Sequence, residues 1–449
     1  MKCMIGIDDS DSAAGLCTTF LAYKLATNAM ELGFRILEYP RLVRLNPNIP
    51  FKTRGNAAVS LVIEASDSDA AFKSVCSITA RYSDVENGAN TGVVMLEDLG
   101  KLPAFKRLYR VALSGLVNKT RAARLLSTNG VRSFTLGNGM GLVGASASLG
   151  FDETYDHTYE IISYRRSDNW GTRRRLSPES VSRMDSATFP HTYNNYDYEK
   201  KRPLIAPHGP DPVFAGIRGD SPESVLEAFS LLRYDEDIDG HMIYLSNQCT
   251  EAHLGSRLGW PLKAYHAGWF QGEVKSVTTE VGGHVFLELQ RGQKRARAAV
   301  YKPTGDLYRV ARRLAEGDRV MVAGGVRRPS TKHPRAINVE TLIIQALVPL
   351  TVQSNPTCSV CGSGSKSEGA AKGFQCRKCG ARMHAKKRML ELPRALAVGH
   401  YVSSPRANRH LTKPLIRYGM ENPGKSSPLI TGWIGNRGPI SLRALAQNL

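Results

Sequence analysis

The sequence predicts a multidomain chain of mixed α/β and α+β class, and three observations carry that reading. Strand and helix patterns alternate over the first 135 residues, as they do in an α/β layer. Residues 268–347 read as three strands, a helix and two strands, the element order of an OB-fold β-barrel, which binds oligonucleotides. Two CxxC pairs, Cys358/Cys361 and Cys376/Cys379, are separated by 14 residues, the pattern of a zinc ribbon. A chain of 449 residues has room for roughly two to four domains.

Taken in order, KCMIGI (2–7) is an apolar strand. Leu21, Leu25, Ala29 and Leu32 recur at helical spacing until Gly33 stops the run. RILEYPRLVRL (35–45) reads as a strand, NPNIPFKTRG (46–55) as a proline-punctuated loop and AAVSLVIEA (57–65) as a strand. A helix capped by Ser66 or Asp67 covers 68–82, GVVMLED (92–98) is a strand, and one long helix spans about 107–128, with Arg121 and Arg124 toward its C-terminal end. The glycine-rich 137–150 opens a small-residue helix, and TYEIISYRR (158–166) is a strand. The polar stretch 166–202 reads as a connection or an exposed hairpin. VFAGIRG, a helix with Ser221 as N-cap and Pro222 first, and HMIYLSNQ then fit a ferredoxin-like α+β sandwich. In the barrel, Trp269, Phe270, Arg295, Arg297, Tyr301, Arg327 and Arg328 are candidates to stack bases and hold backbone.

The net charge of +20 implies a polyanionic partner, nucleic acid first. From Val352 onward 16 Lys+Arg stand against three acidic residues, +13 of the +20, which marks Arg377, Lys378, Arg382 and their neighbours as a phosphate-contacting surface beside the ribbon. Four thiolates in two CxxC turns select a closed, structural Zn²⁺ site. Cys3, Cys17, Cys76 and Cys249 are scattered and read as buried fillers. The longest apolar run, 342–352, is short and contains Pro349, so no membrane span is expected. The N-terminus lacks a signal-peptide pattern, and a cytoplasmic protein is the expectation.

The first strand runs into Asp8, Asp9 and Asp11, with Thr18 and Thr19 shortly after. Such a turn either caps the following helix or uses hard oxygen ligands to hold Mg²⁺ and, through it, nucleotide phosphates. Arg44, Lys52 and Arg54 supply the nearest cations.

The segments GIDDSDSAAGLCTTFLA (6–22) and RLVRLNPNIPFKTRGNAA (41–58) closely resemble those of the archaeal agmatidine synthases, as do GLVGA (141–145), AGIRG (215–219), SNQCTEAH (246–253) and HLTKP (410–414). Ser10, Glu251 and Ala57 depart mildly from the family pattern, and the tail after Arg417 lies outside it. The resemblance implies a kinase-like domain (1–135), a ferredoxin-like domain (136–265), an OB-fold (266–350), a zinc ribbon with a basic segment (355–417) and a C-terminal extension (418–449). It implies a ligase that attaches agmatine to C2 of the wobble cytidine of the CAU-anticodon isoleucine tRNA, cleaving ATP to AMP and phosphates. On that reading Thr18 matches the threonine that is transiently phosphorylated, and Asp8, Asp9 and Asp11 match the Mg²⁺-binding cluster. Arg44, Lys52 and Arg54 then face triphosphate, Asn46, Thr53, Gly55 and Asn56 face the cytidine or its phosphate, and Arg327, Arg328, Arg377, Lys378 and Arg382 face tRNA. ATP, Mg²⁺ and structural Zn²⁺ are the implied cofactors, with no protein or membrane partner. Two alternatives stay open: a haloacid-dehalogenase-type phosphatase, using Asp9 and Asp11 as its D-x-D though Ala13 departs from that pattern, and a non-catalytic tRNA- or single-strand-binding protein.

Overall fold

A strand buried along its whole length needs cover on both faces, and β1 (Lys2–Asp8) is buried from Cys3 to Ile7. The computed structural model describes residues 1–12, 14–331, 333–369 and 372–435, so Ala13 and residues 436–449 of the C-terminal extension lie outside the described residues. α1 (Thr18–Thr27) covers the face carrying Cys3, Ile5 and Ile7. The chain continues through β2 (Phe34–Ile36), β3 (Arg41–Arg44), β4 (Ala57–Ala65), α2 (Ser68–Arg81), β5 (Gly92–Leu96), α3 (Leu102–Ser114), α4 (Lys119–Thr128) and β6 (Arg132–Thr135). β1 lies between β4 and β5, antiparallel to both. α2 joins α1 on its face, while Met4, Val62 and Val94 on the other face pack against Phe105, Leu126 and Ala145.

Next come α5 (Leu142–Leu149), β7 (Thr158–Arg165), α6 (Pro178–Thr188), the two-residue strands β8 (Thr192–Tyr193), β9 (Tyr196–Asp197) and β10 (Arg202–Pro203), then β11 (Val213–Gly219), α7 (Pro222–Leu231) and β12 (Ile238–Ser246). α5 belongs in sequence to this second unit but packs against the first sheet. β7 sits antiparallel between β11 and β12. β12 pairs in parallel with β3, Leu245 with Arg41 and Ser246 with Leu42. The two sheets thereby fuse into one of eleven strands.

The barrel follows the predicted order: β13 (Ala267–Thr279), β14 (Val285–Arg291), β15 (Lys294–Val300), α8 (Asp306–Ala311), β16 (Arg319–Arg327) and β17 (Ala336–Ala346). It closes through parallel pairing of β15 with β17. β18 (Leu350–Ser354) and β22 (Arg388–Leu392) form a two-stranded stalk, at whose end stand β19 (Ser365–Ser367), β20 (Phe374–Cys376) and β21 (Arg382–Met383) of the ribbon. The chain then returns. β23 (Gly399–Val402) pairs with β17, and β24 (Ile434–Gly435) pairs with β12. This returning strap ties down the first sheet as well: the Tyr39 hydroxyl donates to Pro428 O (3.0 Å) and accepts from the Ile430 N–H (2.9 Å).

Four sequence expectations change. The single helix over 107–128 is two, α3 and α4, broken at Gly115 and restarted by Asn118, whose side chain caps the Arg121 N–H at 2.9 Å. Arg121 therefore sits in the first turn of α4. The single strand over 35–45 is two, β2 and β3. The stretch 166–202 holds α6, whose opening Ser177-Pro178-Glu179-Ser180 is the same tetrapeptide that opens α7 at Ser221. The basic C-terminal fifth is partly internal. Arg394 pairs with Asp318 (2.6 Å), Lys413 with Asp156 (3.6 Å), and the fully buried Arg417 with Asp156 (2.8 Å) and Asp220 (2.9 Å). Among the described residues no helix is long and apolar enough to cross a membrane.

Candidate active site

β1 delivers Asp8, Asp9 and Asp11 to the edge where the two fused sheets meet. Asp9 takes φ 62°, a left-handed conformation uncommon for a residue with a side chain. The Asp8 carboxylate accepts from the Asp9 N–H (2.8 Å) and lies against Gly144 of α5, where any Cβ would collide with it. Gly144, in the GLVGA segment, is thus required by close approach. Thr53 Oγ1 links the turn to the 46–55 loop, 3.1 Å from Asp9 Oδ1 and 3.5 Å from Asp11 Oδ2. Burial, reinforced by Asp9 and Asp11, raises the Asp8 carboxyl well above the usual carboxylate range. Burial also raises Asp9, against the Thr53 hydrogen bond, and takes Asp11 up to about 6 against the opposing Arg54 charge.

Thr18 is the first residue of α1. Its N–H donates to Asp11 Oδ1 (3.3 Å), and its Oγ1 accepts from the Ser10 N–H (3.4 Å) and hydroxyl (3.3 Å). Cys17 beside it is an inert thiol, pushed up to about 12 by burial and then by the Asp11 charge. Thr18 and Asp11 line a cleft of about 300 Å³ together with Arg44, Asp211, Arg218 and His410. Asp8 and Asp9 face a smaller pocket of about 80 Å³ on the other side, with Lys52, Thr53 and Asn56. The three aspartates therefore straddle two cavities. Among the described residues only the four ribbon cysteines bring three or more metal-ligating side chains within 4.8 Å of one another.

Arg44 ends β3, and its backbone N–H and C=O both bond the Asn247 carboxamide (2.8 Å each). Its guanidinium approaches Glu160 at 4.0 Å, its Nε is buried without a partner, and burial draws its pKa down to about 10. Arg218 Nε donates to Glu160 and Gln248 (3.1 Å each), and its Nη2 donates to His410 Nδ1 (3.1 Å). The same Nδ1 stands 3.0 Å from Gln248 Oε1, so the His410 ring bridges Arg218 and Gln248. Burial, then Arg44, Arg218 and Lys52, hold His410 well below the ordinary histidine range, so the ring is neutral. Arg54 reaches Asp211 (3.5 Å) and Asp11 (3.9 Å) and donates to Ser12 O (3.2 Å). The Lys52 ammonium donates to Arg54 O (2.8 Å). A Cβ at Gly55 would lie 2.5 Å from Arg44 and 2.7 Å from the His410 ring, so only glycine lets those two groups close over the loop. On the loop's outer side Arg44, Lys52, Arg54, Arg409 and His410 line a second opening of about 340 Å³ with no carboxylate.

The structure thus gathers Asp8, Asp9, Asp11, Thr18, Arg44, Lys52, Thr53, Arg54, Gly55 and Asn56 around one turn. It does not bring Asn46 there. Asn46 is fully buried, donates to Gly115 O (3.1 Å) and Tyr265 O (2.7 Å), and accepts from Asn48, so its amide clasps the loop to the barrel and has no free edge for a base. Asn56 partly shares that duty, donating to Asn46 O (2.8 Å). Arg327 donates to Pro334 O (3.0 Å) with its Nε buried and unpartnered, while Arg328 is exposed at the barrel edge. Arg377, Lys378 and Arg382 are exposed on the ribbon, Arg382 facing Glu368 at 3.5 Å. In the barrel, Phe270 is core rather than a stacking surface, and Arg297 is paired with Glu280 and Glu288.

Sequence reasoning missed Glu160, Asp211, Arg218 and His410. Two of them lie in AGIRG and HLTKP, segments that carried the resemblance without an assigned role. In the ribbon, the Cys358–Cys379, Cys361–Cys376 and Cys361–Cys379 sulfurs stand 3.4–3.5 Å apart. Amide donors from Cys379 and Lys378 draw Cys376 down to about 6. Four converging sulfurs with amide support fit a structural zinc.

A charged cleft between fused sheets, carried with an oligonucleotide-type barrel and a zinc ribbon, is the build of an enzyme directed at nucleic acid. The chain matches the family models described as TiaS TCKD domain (residues 4–138), TiaS FLD domain (139–253) and TiaS C-terminal zinc ribbon domain (355–396). It is 42% identical over 419 residues, 92% of each chain, to the isoleucine-tRNA 2-agmatinylcytidine synthetase TiaS of Cenarchaeum symbiosum. Among solved structures it resembles TiaS in complex with its isoleucine tRNA and ATP (TM-score 0.84, 32% identity) and TiaS in complex with that tRNA, AMPCPP and agmatine (TM-score 0.81, 30% identity), each covering 93% of this chain and 98% of the other. The chain belongs to the TiaS family.

Proposed function

We propose that this chain is an isoleucine-tRNA 2-agmatinylcytidine synthetase. It joins agmatine to C2 of the wobble cytidine, with ATP cleaved to AMP and phosphates and Thr18 transiently phosphorylated. The observation that carries the reading is the cleft itself, where the Thr18 hydroxyl, buried carboxylates and the buried, unpartnered Nε of Arg44 share one cavity. Relatives of 30–42% identity named for this reaction, or solved with its substrates, support it.

Phosphoryl transfer asks a protein mainly for positioning and charge neutralisation. Arg44, Lys52 and Arg54 would receive phosphate oxygens, Arg44 through a guanidinium with an unsatisfied donor. Asp8, Asp9 and Asp11 offer hard oxygen ligands; the three do not converge on one point, so one or two of them, together with substrate phosphates, would hold Mg²⁺. When bound, that ion supplies charge neutralisation. Asp11 and Asp211 give the 300 Å³ cleft an anionic wall suited to a dicationic amine such as agmatine. Neutral His410, held between Arg218 and Gln248, adds an uncharged polar ring to a wall otherwise lined by cations. The cytidine must leave its stack to reach this depth. On this reading the enzyme works in the cytoplasm, where it would meet ATP and tRNA.

The test supplies purified protein with ATP, labelled agmatine and a transcript of the CAU-anticodon isoleucine tRNA. Agmatine incorporation with AMP formation is the expected result. Tight tRNA binding without turnover would return the chain to the binding-protein reading, and phosphate release from small esters without tRNA to the phosphatase reading. A second prediction concerns the ribbon. Cys376→Ser is expected to lower zinc content toward zero by atomic emission, because three remaining thiolates no longer close the shell. It should weaken tRNA use more than ATP hydrolysis. An unchanged tRNA affinity would remove the ribbon from the RNA-contacting surface.

A further inference from the structure

The barrel carries a second built surface, remote in sequence from the aspartate turn. The loop before β13 is sewn to its first residues: the Leu258 N–H donates to Trp269 O (2.9 Å) and the Trp269 N–H to Ser256 O (3.0 Å). That stitching fixes Arg257 between its two bonds, with Trp260 two residues beyond Leu258. The Arg257 guanidinium lies 5.2 Å from the Trp269 ring centre, which occupies Trp269 and removes it as a free platform. Trp260 is a large aromatic side chain left 42% exposed, and its ring stands 6.2 Å from Phe270 at a 37° tilt. Buried Phe270 and Leu258 floor a recess of about 230 Å³, and Arg257, Trp260, Arg291 and Lys294 form its walls. Arg291 and Lys294 come from the β14–β15 hairpin. Among the described residues Arg257, Arg291 and Lys294 have no ion-pair partner.

An exposed indole, an apolar floor and three unpaired cations without a carboxylate form a specific combination. An isolated anion needs no indole, and a duplex presents its phosphates on a convex surface with its bases already stacked. A base with its own phosphate uses all three features: ring on ring, edge on floor, phosphate on the cations. The geometry points to a binding site for an unpaired RNA nucleotide on the barrel, with its base stacked on Trp260 and its phosphate held by Arg257, Arg291 and Lys294. The choice of RNA rests on the proposed tRNA substrate; the site itself is independent of the cleft.

The experiment uses the full chain and a hexanucleotide carrying one 4-thiouridine, irradiated and mapped by mass spectrometry. Crosslinking within Arg257–Trp260 or the β14–β15 hairpin is expected. Crosslinks confined to other surfaces would overturn the assignment. In parallel, Trp260→Ala is expected to weaken hexanucleotide binding on the order of tenfold while leaving a blunt RNA duplex unaffected, and Trp260→Phe to retain most of the affinity. Equal losses on hexanucleotide and duplex, or no loss on either, would refute the stacking role. Because the wild-type crosslink needs no catalysis, a chain that crosslinks at Trp260 but incorporates no agmatine would defeat the proposed function and leave this site standing.

Discussion

Thr18→Ala is expected to abolish transfer of label from γ-³²P-ATP to the protein and to lower agmatine incorporation on the order of 10³-fold or more, the scale for loss of a nucleophile. The local geometry explains why this residue is singled out over Thr19. Thr18 Oγ1 accepts two hydrogen bonds from Ser10, and no described acceptor holds its own hydrogen. The next threonine has its carbonyl fixed by the Tyr164 (3.0 Å) and Tyr244 (2.7 Å) hydroxyls, and its hydroxyl rests against Cys17. Thr18→Ser should restore labelling, since a primary hydroxyl occupies the same position. Labelling that persists in Thr18→Ala would remove Thr18 from the chemistry, whatever became of overall activity.

Arg417→Met should cost about 3–5 kcal/mol of stability, the usual scale when one partner of a buried ion pair is removed. That corresponds to a fall on the order of 10 °C in the melting temperature. Arg417 is fully buried, bonds both oxygens of Asp156, reaches Asp220, and donates to Cys249 O (2.8 Å). Its loss removes the guanidinium partner of two carboxylates and a carbonyl at once, leaving Asp156 with Lys413 and Asn422 and Asp220 with Tyr193. Arg417→Lys keeps the charge but not the planar fork, and should fall between the two. A melting temperature unchanged in Arg417→Met would mean that the strap does not hold the second sheet together.

The barrel was legible because its strands alternate in register with their environment, so the order of elements emerges from local pattern alone. The ribbon was legible because thiolate spacing is a covalent constraint. The break at Gly115 was not, because apolar residues continue at helical spacing on both sides of it; what breaks the helix is tertiary, the Gly115 carbonyl accepting from Asn46. Helix α6 carried the same Ser-Pro-Glu-Ser start as α7, but its polar composition hid it. In the cleft, the Asp turn, Thr18 and the 46–55 cations were visible as neighbours in sequence. Glu160, Arg218 and His410 were not, because they join it only through the β3–β12 pairing and the returning strap. Asn46 shows the converse. It sits inside the most specific motif of the chain, yet its buried amide spends its donors on backbone carbonyls.

The strap also gives chain order a meaning in time. During synthesis the aspartate turn, Thr18, Arg44 and Arg218 all leave the ribosome before His410 and Arg417 do. Barrel and ribbon are complete by then, while the cleft still lacks one wall. A chain ending early within the strap would keep its barrel and ribbon while lacking His410 and Arg417, and with them one wall of the cleft and the clasp on Asp156 and Asp220.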